Sequence, residues 1–173
     1  MKLKNIFLLL LLLAVTASFA QKKTRKQLRE VRKIEKQKQT AALVDMKSFI
    51  FVARTAMPQG FNTIDLTLNP NYVQFEPDMI KSEMPFFGIA YSGIGYGRDV
   101  GLHFEGSPQK FTVKKSKKAY QIDVSVKGET DFYHLLLTVF FEGNATLSVN
   151  SNNRSSISYN GEIRPIEEKK ISD

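Results

Sequence analysis

The chain of 173 residues contains no cysteine and only two histidines. Without cysteine it can form no disulfide, build no thiolate metal site and carry no lipid on a bacterial lipoprotein's acyl-bearing residue. The histidines, His103 and His134, stand on different predicted strands with no His-x-His spacing, so they do not bring together the three or four ligands a metal requires. No metal or other cofactor is expected. A strained strand-to-helix turn carrying a serine nucleophile is missing too, which counts against a hydrolase. Glycine and proline are absent from Gln21 to Met57, so nothing breaks a helix there before Pro58 and Gly60. Long apolar runs are also lacking. The longest, Ile6–Val15, falls well short of the ~20 residues of a permanent membrane helix.

That run has a basic head, Lys2 and Lys4, and is followed by small residues Ser18 and Ala20. This is the layout of a secretory signal peptide over residues 1–20, cleaved before Gln21. The expectation is a periplasmic or secreted protein that is soluble after export and is not a lipoprotein. The formal charge of +8 is unevenly spread. Nine Lys or Arg lie between Lys22 and Lys38 against Glu30 and Glu35, a net of +7, and residues 39–173 carry 14 basic against 15 acidic groups. Basicity therefore belongs to an arm, residues 21–40, whose Lys, Arg, Gln, Glu and Leu are good helix formers. Leu28, Val31 and Ile34 give it only a thin apolar stripe. Because an exported protein rarely meets nucleic acid, none is expected as partner; the arm's charge fits weak contact with an anionic membrane surface.

From Ala41 to Val52 the apolar density rises, and this stretch is expected to continue the helix and dock on a sheet. Beyond Gly60 the period changes to two. Ile64, Leu66 and Leu68 alternate with polar residues, as do Val73 and Phe75, Leu102 and Phe104, and Phe111 and Val113. Tyr120, Ile122, Val124 and Val126 alternate with Gln121, Asp123, Ser125 and Lys127, the pattern of a strand with one wet face. Asp131 to Glu142 is apolar on both parities, which predicts the centre of the sheet, covered on both sides. Gly143-Asn144 and Asn150–Asn153 mark turns into two last strands. The fold class is mainly β with an N-terminal helix (α+β): an antiparallel meander of 8–10 strands, forming a curled open barrel or a two-layer sheet with the helix docked on it. Residues 41–165 form the domain and residues 166–173 a flexible tail.

Three segments carry a resemblance: Ala53–Pro58 (ARTAMP), Pro85–Ser92 (PFFGIAYS) and Ser151–Gly161 (SNNRSSISYNG). They resemble the recurring motifs of an exported Bacteroidetes family, domain of unknown function family 4251, over roughly residues 45–165. The resemblance implies a periplasmic or outer-membrane-associated protein and transfers no functional residue. Five glycines between Gly88 and Gly101 are followed by no helix, which argues against a phosphate cradle and for a kinked strand or a ligand-contacting loop. Phe86, Phe87, Tyr91, Tyr96 and Tyr159 are the candidate ligand-binding residues. Two non-catalytic roles follow. One is an envelope binding module that holds an apolar or amphipathic small molecule between its curled sheet and the helix. The other is a structural or interaction protein with a filled core, presenting Ser151–Gly161 to an envelope protein.

Overall fold

The computed structural model describes residues 24–68, 71–91, 101–129 and 131–167. The chain divides into two compact units, one ending at Glu35 and the other beginning at Lys36. Helix α1 (Arg25–Met46) runs through that boundary. It starts at a capping box: Thr24 Oγ1 accepts from the Gln27 amide at 3.3 Å, and Gln27 Oε1 accepts from the Thr24 amide at 2.9 Å. It stops at Lys47, whose φ of 52° is left-handed and incompatible with another helical turn.

The expected helix over Ala41–Val52 therefore ends six residues early, because Phe49–Val52 open the first strand. Their alternation of aromatic and β-branched side chains suits a half-buried pleat better than a helix. Strands β1 (Phe49–Pro58), β2 (Ile64–Asp65), β3 (Tyr72–Phe75), β4 (Ile80–Met84) and β5 (Leu102–Gly106) come first. Then follow β6 (Pro108–Lys115), β7 (Ala119–Lys127), β8 (Phe132–Phe140), β9 (Asn144–Ser151) and β10 (Ile157–Arg164). Pairing is antiparallel throughout, in the order β5-β4-β3-β1-β10-β9-β8-β7-β6, with β2 beside β1.

The first strand and the last thus lie side by side in mid-sheet. The sheet's two end strands, β5 and β6, are joined through the single residue Ser107. The sheet curls until those ends face a shared interior and becomes a nearly closed barrel. Phe104 of β5 stacks on Tyr133 of β8 with centroids 4.0 Å apart, and Phe75 of β3 meets Phe111 of β6 edge-on at 6.4 Å. Phe49, Phe51, Ile80, Ile122, Leu137 and Tyr159 are among the side chains that fill the barrel, all fully buried.

Further expectations need correction. β8 lies third from one end of the sheet, and β10 occupies the middle. Nor is β8 covered on both sides: Tyr133, Leu135, Leu137 and Val139 are buried, whereas Leu136 and Phe140 on the other face are 40% and 46% exposed. A barrel has one interior, so a strand apolar on both parities must leave one of them outside. The helix's second half does dock, through buried Thr40 and Val44. It sits by the β8–β9 turn and the end of β10 and does not lie over the face of β8. The β2 region is shorter than its alternation predicts: Leu66 is buried and Leu68 is fully outside.

Candidate functional site

The three motif segments come together. Ala53–Pro58 pairs with β10 from Gly161 to Ile157, with a bulge between Ala53 and Thr55. Gly161 faces that bulge so closely that a Cβ there would lie 2.0 Å from the Val52 carbonyl oxygen; only glycine fits. On the chain preceding β10, Ala90 bridges Arg154, the Ser155 amide donates to the Ile89 carbonyl at 2.8 Å, and the Tyr91 amide donates to the Asn153 carbonyl at 2.7 Å. Gly88 permits this approach, since a Cβ would meet Ser155 Oγ at 2.5 Å. The Arg154 guanidinium lies over the Phe86 ring at 5.2 Å and donates to the Gly101 carbonyl at 2.9 Å. Tyr159 donates its hydroxyl to the Pro85 carbonyl at 2.7 Å.

This corner is built for closure. Burial pushes the Tyr159 phenol well above its ordinary range, with the Arg154 charge working against the shift, so it remains a neutral donor. Of the five candidate aromatics, Phe86 and Tyr159 are packed into the core, Phe87 is half-buried and Tyr91 is exposed. Tyr96 lies outside the described residues, as does the glycine-rich stretch 92–100. Phe86 and Tyr159 are both buried and belong to the hydrophobic core, so they present no surface to a ligand.

An open depression lies elsewhere in the second unit. Its walls are the Lys36–Met46 half of α1, the Glu142-Gly143 turn and the chain from Glu162 to Pro165, and it encloses about 580 Å³. Leu43, Met46, Ala42, Ile163 and Pro165 supply apolar surface, with Met46 exposed and Leu43 half-buried. Gly143, at φ 92°, makes the tight turn that brings this floor under the helix; its carbonyl accepts from the Ile163 amide at 2.9 Å. A second depression of about 330 Å³ shares Leu43, Met46 and Pro165 and extends to Ser48, Glu76 and Ile166. The lining also carries the charged Lys36, Glu142, Glu162 and Arg164, and Glu162 binds both Arg54, beyond the groove, and Arg164, the latter at 2.6 Å. Nothing in local spacing announces this groove, because its walls come from opposite ends of the domain. The available signal was Met46, a large apolar residue among polar neighbours at the helix end.

The outer face of the barrel carries the titratable groups. Asp123 takes a hydrogen bond from Lys110 at 2.8 Å and pairs with His134 Nε2 at 3.0 Å. The Lys110 ammonium chiefly holds its carboxyl below the usual range, partial burial opposes this, and His134 adds to the lowering. Ser125 stands opposite His134 in the β7–β8 register. All three are half-buried on the outer face of the sheet. On β4 and β5, His103 Nδ1 lies 2.7 Å from Glu83. Among the described residues no three His, Cys, Asp or Glu side chains cluster as metal ligands, and no helix is long and apolar enough to cross a membrane.

Pairing of first and last strands, a curled antiparallel sheet and, among the described residues, one helix packed at the barrel's end define the class: a small, nearly closed antiparallel β-barrel with a helix. The family model for the domain of unknown function DUF4251 matches residues 31–163, and the chain belongs to that family. Among solved structures it is similar to the crystal structure of a DUF4251 family protein from Bacteroides eggerthii DSM 20697, at 19% identity and a TM-score of 0.59. The match covers 75% of this chain and 87% of that one, a likeness of fold. No curated protein matches the chain.

Proposed function

We propose that this protein is an exported, non-catalytic binding module of the cell envelope that holds an amphipathic small molecule in the groove between α1 and the end of the barrel. The observation that carries this is the groove itself: about 580 Å³, lined by the apolar Ala42, Leu43, Met46, Ile163 and Pro165 together with the charged Lys36, Glu142, Glu162 and Arg164. That volume lies in the ~300–1,000 Å³ range of small-molecule sites. An apolar chain would lie along Leu43, Met46 and Pro165, and a polar head would reach Lys36 and the Glu162–Arg164 cluster. Export rests on the signal-peptide layout of residues 1–20. The filled barrel favours a second reading, an interaction protein that presents the Ser151–Gly161 corner to an envelope protein.

Native mass spectrometry of protein isolated from its host, followed by displacement of a fluorescent fatty-acid probe, tests the groove. Met46→Glu places a charge on the apolar wall at an exposed position, so folding is spared and probe affinity should fall at least about tenfold. Tyr91→Ala should leave affinity unchanged. Loss of binding in Tyr91→Ala with Met46→Glu unaffected would move the site to the aromatic loop. Absence of any bound species and of probe binding would favour the interaction reading.

A further inference from the structure

The first unit contains a surface that the groove does not use. In the first half of α1, Leu28, Val31 and Ile34 are 43%, 44% and 51% exposed. At 3.6 residues per turn, these positions, three apart, occupy one arc of roughly 120°, and Arg25, Arg29, Arg32 and Lys26 fall on an arc of similar width on the opposite side. From Thr24 to Glu35 the basic residues number five against Glu30 and Glu35. Basic residues are therefore kept off the apolar arc, which Leu28, Val31 and Ile34 share with Gln27 and the terminal Glu35, along a helix that is exposed throughout this stretch.

We infer that Thr24–Glu35 is an interfacial segment that lies on an anionic phospholipid surface, its aliphatic stripe entering the headgroup boundary and its basic face held by lipid phosphates. Charge complementarity selects an acidic partner, and the exposed aliphatics distinguish a bilayer from a soluble polyanion, which would leave them in water. A helix with its side chains is about 10–12 Å across, so with the stripe sunk into the boundary the guanidinium groups remain within about a Debye length of the phosphates. A second copy of the helix is a poorer occupant. Continuing the seam of Leu28 and Val31 by heptad spacing meets Glu35 and Lys38, and a coiled coil needs several apolar heptads. Three aliphatic residues are few, so attachment is reversible and salt-sensitive.

Vesicle flotation of the protein isolated from its host, its N terminus read by sequencing, tests this against phosphatidylglycerol-containing and pure phosphatidylcholine vesicles. Binding is expected to the anionic vesicles alone and to be lost in about 0.5 M salt. Reversing Arg25, Arg29 and Arg32 to Glu should weaken it about a hundredfold or more. The triple change Leu28→Ser, Val31→Ser, Ile34→Ser should weaken it about tenfold while binding to soluble heparin is retained. Circular dichroism and the thermal melt verify that the barrel is intact in both variants. The inference is overturned if wild type ignores anionic vesicles, if the serine variant binds them as well as wild type does, or if sedimentation shows a dimer that the serine changes dissolve.

Discussion

Leu136 and Leu137 are adjacent and chemically identical, yet truncating them should differ severalfold in cost. Leu137 is fully buried, its cross-strand partners are Ile122 and Leu147, and Leu135 and Val139 flank it on the same face. Leu→Ala in a core costs the lost transfer energy plus a cavity term, about 2–5 kcal/mol, and the value depends on how far the walls relax. Here β8 is hydrogen-bonded to a strand on each side and the barrel opposes inward collapse, so the upper half of the range, about 3.5–5 kcal/mol, is expected. With a urea m-value near 2 kcal/mol/M, the midpoint should fall by about 2 M. At about 3–5 °C per kcal/mol for this size, the melting temperature should fall by about 10–25 °C. Leu136 is 40% exposed and opposite Asp123 and Ser148, so Leu136→Ala should cost about 1 kcal/mol or less. Urea titrations followed by circular dichroism, with m held common, read the difference. Equal losses, or a greater one for Leu136→Ala, would refute the assignment of interior and exterior and with it the register of β8.

Gly161→Ala should damage the fold more than its single methyl implies. The new Cβ would strike the Val52 carbonyl oxygen, which is backbone and cannot rotate away, so β1 and β10 must separate at the bulge. A cost of several kcal/mol is expected, read as loss of soluble protein and as faster amide exchange in β1; wild-type stability would show that the two strands do not meet so closely. Lys110→Met should raise the Asp123 pKa towards its ordinary value by removing the hydrogen bond that chiefly lowers it. A depressed carboxyl contributes stability that is present above its unfolded pKa near 4 and is lost as pH falls through the folded value, so Lys110→Met should shrink the stability difference between about pH 5 and pH 2. NMR titration of the Asp123 carboxyl checks this, and an unchanged midpoint would count against it.

Alternation in Tyr120–Val126 determined which side chains of β7 are inside, since a period of two leaves no choice of face once one parity alone is apolar. The turn at Gly143-Asn144 was equally legible, because both residues suit a reversal. What the helix does after Met46 was not. Phe49–Val52 satisfies a buried helix and a buried strand alike, and the left-handed Lys47 together with pairing to β3 and β10 decided for strand. Spacing along the chain also could not say that the last strand would take mid-sheet beside the first, leaving Leu136 and Phe140 outside. That outcome depends on hydrogen bonds between residues over a hundred positions apart, such as Ala53 with Gly161. The same holds for the sites: of the aromatics singled out in the sequence, Phe86 and Tyr159 were drawn into the core, where packing needs large side chains, and Tyr91 was left outside. The groove exists only because barrel closure brings the Gly143 turn and Ile163 beneath Leu43, a juxtaposition that no local pattern encodes.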